Sequence, residues 1–191
     1  MRKANVSDKP LVVDMLTRAF ATNKSVKYIV GPNGNTVERM RKLMAYSFNV
    51  CEKFGDVWLS DASDACALLL YMDRKRSTLQ SLTWDLQFAI SVVGLRRIGG
   101  VLKREEMIKS NHPKEPFAYL WFFGVDPGVH NKGVGSAFLK EIISDCDSKK
   151  RPIYLETSME KNLSFYKKFG FEIFNTVQPT YTLYLLRRPI P

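Results

Sequence analysis

GVDPGVHNKGVGSAF, residues 124–138, joins the most apolar run of the chain to a helical pattern. The run before it, FAYLWFFGV at Phe117–Val125, is rich in aromatics, as a central strand buried on both faces requires. After it, Val134, Phe138, Leu139, Ile142, Ile143 and Cys146 predict the inner face of a helix over about Gly133–Ser148. A strand that passes through a glycine-bearing turn into a helix presents unpaired N–H groups and the positive end of the helix dipole. Such a turn suits a phosphate or diphosphate. A nucleoside-triphosphate loop is excluded, because Val134 and Gly135 stand where Lys and Ser or Thr are needed after Gly128 and Gly133. A dinucleotide fingerprint fails as well, because Phe138 occupies the place of its third glycine.

The elements to either side alternate. A strand at Arg2–Asn5 and a helix capped by Ser7 and Asp8 are expected first, the helix carrying Leu11, Val12, Met15, Leu16, Ala19 and Phe20 inward. GPNGN at Gly31–Asn35 separates it from a helix near Val37–Phe54. DVWLS and ACALLLY, divided by Asp61–Asp64, read as a hairpin. Thr78–Ser110 reads as two helices, because Gly94, Gly99 and Gly100 interrupt it, and Pro113 and Pro116 end it. Past the central helix come a strand in PIYLETS, a short helix from about Lys161 stopped by Gly170, and strands near Phe171–Val177 and Tyr181–Arg187. Gly124 marks a bulge or a close backbone approach.

Composition narrows the partners. At 191 residues and 45% apolar, the chain can bury a core alone. Its formal net charge of +10 favours anionic ligands, yet the pairs Arg96-Arg97, Lys149-Lys150-Arg151 and Arg187-Arg188 read as solvated faces rather than a nucleic-acid stripe. Cys51, Cys66 and Cys146 lie far apart in apolar contexts and His112 and His130 are the only histidines, so no metal site is expected. No membrane span or signal peptide is read, and the expected location is the cytoplasm.

The turn resembles the acetyl-CoA loop of the GCN5-related N-acetyltransferase (GNAT) superfamily, which follows a central strand with [Gln or Arg]-x-x-Gly-x-[Gly or Ala]. Here that pattern reads His130, Asn131, Lys132, Gly133, Val134, Gly135, with His130 as the departure. Downstream, Asn162, Tyr166, Gly170 and Phe171 in ETSMEKNLSFYKKFGFE resemble the family's second cofactor segment. NHPKEPFAYL and LETS are similar to the subgroup containing puromycin N-acetyltransferase. The close resemblance covers roughly residues 111–188.

The resemblance implies an α/β (α+β) GNAT fold: a mixed, mostly antiparallel sheet splayed at a bulge, with helices on both faces. One GNAT domain would span residues 1–191, with an acceptor-side half at 1–116 and an acetyl-CoA-binding half at 117–191. The cosubstrate would be acetyl-CoA, without a metal, held by Phe123, Gly124 and Val125 at the split, by His130, Asn131, Lys132, Gly133, Val134, Gly135 and Ser136 at the turn, and by Asn162. The implied reaction is direct attack of a small molecule's primary amine through a tetrahedral intermediate. Tyr166 would protonate the thiolate, unless it is an aromatic packing under the sheet. Glu156 would act as base, unless it satisfies buried backbone or a basic neighbour; strand alternation pairs it with Tyr154 rather than Ile153 and Leu155. Tyr28, Trp84 and Trp121 are either acceptor-pocket aromatics or core. A protein or peptide N-acetyltransferase, a non-enzymatic coenzyme A sensor and a basic nucleic-acid binder remain the other classes, and the acceptor and oligomeric state (monomer or homodimer) stay open.

Overall fold

The computed structural model describes residues 1–129 and 133–190. Seven strands among them form one sheet: β1 (Arg2–Lys3), β2 (Gly55–Leu59), β3 (Ala65–Leu70), β4 (Ala118–Val125), β5 (Ile153–Thr157), β6 (Glu172–Val177) and β7 (Leu183–Arg188). Their spatial order is β1-β2-β3-β4-β5-β7-β6, and every neighbouring pair is antiparallel except β4 with β5. The helices are α1 (Lys9–Ala19), α2 (Lys24–Val30), α3 (Thr36–Phe54), α4 (Leu79–Phe88), α5 (Ile98–Lys109), α6 (Val134–Ser148) and α7 (Leu163–Lys167).

The sheet is covered on both faces because its central strands supply apolar side chains to each. Leu68 and Phe122 pack with Val12, Met15 and Leu16 of α1 and with Leu43, Met44 and Phe48 of α3. Leu69, Leu120, Leu155 and Leu186 pack with Phe138, Leu139, Ile142 and Cys146 of α6. The helix α6, the hairpin β2–β3 and the broken helical stretch α4–α5 all appear where the sequence places them. Gly170, at φ 81°, follows α7 in the left-handed conformation expected of a terminator.

Two local expectations change. Asn5, rather than Ser7 or Asp8, supplies the cap before α1: its side chain accepts from the Ser7 N–H at 2.8 Å and opens a 3₁₀ turn, Val6–Asp8. Asp8 returns a bond to the Asn5 N–H at 2.9 Å, and Arg2, then that amide, pulls its carboxyl down to about 2. The sequence also passes over α2, whose seven residues are too few to display an amphipathic period; Asn23 caps it by accepting from the Val26 N–H at 3.1 Å.

The bulge in β4 lies at Trp121, not at Gly124. Leu69 pairs with Leu120 and Leu68 with Phe122, so Trp121 is one residue in excess. The alternation therefore resets: Trp121 and Phe122 both face α1 and α3, and Phe123 and Val125 return to the α6 side. Gly124 is instead a close approach, since a Cβ there would lie 2.7 Å from Leu16 Cδ2 of α1. Between β4 and β5 the ladder holds only Ala118 with Ile153 and Tyr119 with Tyr154. The strands part after Tyr119, ahead of the Phe123–Val125 segment to which the resemblance assigned the split.

Candidate active site

Past the parting, the entry to α6 is described up to Val129 and again from Gly133. Asp126 accepts from the Gly128 N–H at 2.9 Å, and the Arg18 guanidinium of α1 grips its two oxygens at 2.9 and 3.0 Å. A 3₁₀ turn, Pro127–Val129, follows. Gly133 then starts α6 at φ 76° and ψ −2°, a left-handed conformation that costs other L-residues roughly 1–2 kcal/mol. No side chain of the described residues caps this helix start, so none of them takes up its first N–H groups, the kind of donors that a helix start offers to a ligand or to water.

These groups border a cleft of about 570 Å³. Its walls include Phe123, Gly124 and Val125 of β4, Gly133, Val134, Gly135 and Ser136 at the head of α6, and Asn162 and Tyr166 across from them. The structure thus gathers nine of the thirteen residues singled out from the sequence around one opening. His130, Asn131 and Lys132 lie outside the described residues, and Glu156 sits elsewhere. A Cβ on Gly135 would come 3.2 Å from Val125 Cγ2, so the wall is kept clear by the missing side chain. A helix start with no side-chain cap among the described residues, beside such a cradle, fits the diphosphate of coenzyme A. Arg18 and Lys161 also line the cleft, as cations that the sequence pattern did not single out.

Asn162 ends a 3₁₀ turn, Glu160–Asn162, and α7 then carries Tyr166 to the same wall. Tyr166 is also core: its ring packs edge-on to Phe165 and Phe171 at 5.3 and 5.4 Å. The two readings of this tyrosine are compatible, because one edge is packed and the residue still borders the cleft. Burial pushes its phenol well above the ordinary range, so it keeps its proton at neutral pH.

Glu156 belongs to the α3 side of the sheet. Its side chain, 8% exposed, accepts from the Tyr119 hydroxyl at 2.5 Å and lies 3.3 Å from His112 Nε2. His112 packs against Phe117 and Tyr119, with ring centroids at 5.1 and 5.2 Å. Burial, then the adjacent Glu156 charge, raises the Tyr119 phenol far above its usual range and fixes it as a donor. The sequence reading named Glu156 without these partners. Strand alternation would have found Tyr119, which is in register with Tyr154 two residues before Glu156, whereas nothing local in the sequence brings His112 to it.

His112 and Tyr119 also line a separate cavity of about 270 Å³ beneath α4 and α5. Of the three aromatics considered for an acceptor pocket, only Trp121 lines this cavity. Trp84 borders a neighbouring depression, and Tyr28 packs edge-on to Tyr181 at 5.7 Å. Among the described residues no cluster of His, Cys, Asp or Glu could hold a metal ion, and no helix is long and apolar enough to cross a membrane. Cys51, Cys66 and Cys146 are buried free thiols whose pKa burial raises.

Comparison with known proteins agrees with this fold. Residues 83–171 match the acetyltransferase (GNAT) family. An uncharacterized N-acetyltransferase of Schizosaccharomyces pombe is 32% identical over 105 residues, a match that spans 52% of this chain and 42% of that protein. The fold superposes on a crystal structure of histone acetyltransferase HPA2 and related acetyltransferase from Corynebacterium glutamicum with a TM-score of 0.69 at 18% identity, covering 100% of this chain and 95% of the other. It superposes on arylalkylamine N-acetyltransferase 2 of Aedes aegypti with a TM-score of 0.65 at 12% identity, covering 100% and 98%. The ribosomal-protein-S18-alanine N-acetyltransferase of Escherichia coli gives 0.56 at 15%, covering 99% and 92%. The chain therefore has the fold of these acetyltransferases, and its residues 83–171 match the GNAT acetyltransferase family.

Proposed function

We propose that this chain transfers an acetyl group from acetyl-CoA to the primary amine of a small molecule. The observation that carries the reading is the parting of β4 from β5 after Tyr119, with the glycine-walled cleft on one side and a buried carboxylate on the other. Residues 1–191 act as one GNAT unit in this reading, the half from Phe117 onward binding the cosubstrate.

The N–H groups of Val134, Gly135 and Ser136 donate to the diphosphate, aided by the positive end of α6. The unpaired edge of β4 at Phe123–Val125 takes the pantetheine arm as an added strand, and an amide there favours the negative charge that grows on the attacked carbonyl. Asn162 orients the thiol end. Bound acetyl-CoA supplies an acetyl group already activated as a thioester. The acceptor requires more help, since an alkyl amine of pKa about 10.4 is unprotonated in fewer than about one molecule per thousand at pH 7. Glu156 receives that proton, directly or through water, while Tyr119 and His112 hold its carboxylate in place. Tyr166 gives its proton to the departing thiolate, a contribution of about 10²- to 10⁴-fold.

Small-molecule acceptors are favoured by NHPKEPFAYL and LETS, the segments similar to the puromycin N-acetyltransferase subgroup; they contain His112, Tyr119 and Glu156. The test is thiol release from acetyl-CoA against free amines, lysine peptides and peptide N-termini. Turnover with free amines is expected. Turnover with peptides alone would replace this reading by a protein acetyltransferase, and coenzyme A binding without any transfer would replace it by a sensor.

A further inference from the structure

The cavity beneath α4 and α5 has the chemistry of a site for the body of the acceptor. Its floor is β3 and β4, through Leu70, Tyr119 and Trp121. Its roof is the end of α4, the π-type turn Ala89–Val93 and the first turns of α5, which contribute Phe88, Val93 and Val101. Tyr46 completes an aromatic wall: it stacks on Phe88 at 4.4 Å and meets Trp121 edge-on at 6.0 Å. Arg104 of α5, itself buried, fixes the roof by bonding the Tyr181 hydroxyl at 2.8 Å and the Ser25 hydroxyl.

The polar groups of this cavity are few and mostly committed. Asp85 accepts from the Tyr46 hydroxyl at 2.6 Å, and Glu105 is paired with Arg104 at 2.5 Å. Glu105 is thus balanced by a cation, whereas Asp85 bonds a neutral phenol. Lys75 and Lys109 are the cations that line it. His112 and Tyr119 line it too, and they are the partners of Glu156. One wall, β4, is shared with the cosubstrate cleft, which begins two residues past Trp121 at Phe123. The rim is apolar as well, since Leu102 borders the cavity and is 62% exposed.

We infer that the acceptor is a monoamine carried on an apolar alkyl or aromatic body, with the body under α4–α5 and the amine directed to Glu156. This rests on the acetyltransferase reading above and specifies its substrate class. A charge placed among Leu70, Phe88, Val93, Val101 and Trp121 is unfavourable, because burying a charge without a partner costs far more than burying methylenes gains.

The experiment is a series from ethylamine to octylamine, whose amine groups differ little in basicity, together with 2-phenylethylamine, 6-aminohexanoate, 1,6-diaminohexane and a lysine peptide. Values of kcat/KM are measured by thiol release, and binding of hexylamine without acetyl-CoA by thermal shift. The inference predicts about a fourfold rise in kcat/KM per added methylene until the cavity is full, then a plateau. Ala89→Phe, which fills the roof, should lower kcat/KM for hexylamine at least about tenfold and abolish its thermal shift, leaving acetyl-CoA affinity unchanged. Val101→Ala, which enlarges the cavity, should move the plateau to longer chains. A flat response along the series, or preference for 6-aminohexanoate, 1,6-diaminohexane or the peptide while acetyl-CoA binds normally, overturns this inference alone. Failure to bind acetyl-CoA at all overturns it together with the reading beneath it.

Discussion

On the α6 side of β4 the candidate site is made largely of main chain, and on the α3 side it is made of side chains. The first consists of a helix start at Gly133, a strand edge at Phe123–Val125 and a wall cleared at Gly135, all within thirteen residues of one another. The second joins Asp85, Glu105, His112, Tyr119 and Glu156 from α4, α5, the following loop, β4 and β5. A backbone site can be written as a spacing of glycines. A side-chain site exists only once distant segments meet, and it is free to differ between proteins that share the fold.

The largest effect that can break this contrast is loss of the cosubstrate. Gly133→Glu and Gly135→Glu each bring a carboxylate to the proposed diphosphate site, and calorimetry should show acetyl-CoA affinity falling about 100-fold or more in both. Affinity unchanged in the two variants removes the turn from the binding site. On the other face, Glu156→Gln preserves shape but removes the proton acceptor; kcat should fall about 10²- to 10³-fold with acetyl-CoA affinity intact. A variant as active as the parent would leave Glu156 as a structural partner of Tyr119 and His112.

Tyr166→Phe probes the one side chain proposed to move a proton on the backbone-built face. A coenzyme thiol of pKa about 8.5 departs tolerably without help, so turnover should drop by about 100-fold, the low end of the range for a positioned proton donor, and persist. Full activity would reduce Tyr166 to packing against Phe165 and Phe171.

The smallest effect is on stability, away from both faces. Burial alone would raise the Asp56 carboxyl, but hydrogen bonds from Lys3, Tyr71 and Lys149 outweigh it and hold the carboxyl below its ordinary value. A carboxyl lowered in the folded state stabilises the protein above the unfolded value of about 3.9 and loses that contribution as pH falls toward the folded value. Asp56→Asn should therefore cost about 2 kcal/mol near neutrality, seen as a Tm lower by about 4–8 °C. The gap between variant and parent should close as the pH drops below about 4, whereas a gap independent of pH would assign the loss to packing.

The legible parts of the molecule were those set by local rules. The apolar run at Phe117–Val125, the periodicity of α6 and the glycines at 133 and 170 fixed elements whose physical causes lie within a few residues. Gly124 was read as a bulge or a close approach, and the second holds, because it answers to Leu16 of α1, a tertiary neighbour. Trp121 is the true excess residue, and no single-strand pattern distinguishes it from the aromatics beside it. One partner of Glu156 was hidden for the same reason: His112 reaches it from a loop 44 residues away in sequence. Arg18 likewise reads as a helix-surface residue until Asp126 is found against it.

The central claim is that the first N–H groups of α6 hold the diphosphate of coenzyme A beside the parted strands. Backbone amide NMR during a coenzyme A titration tests it residue by residue. The account predicts saturable shifts at Val134, Gly135 and Ser136, accompanied by Phe123–Val125 and Asn162. Saturable binding that leaves those amides unmoved and shifts residues elsewhere would contradict it.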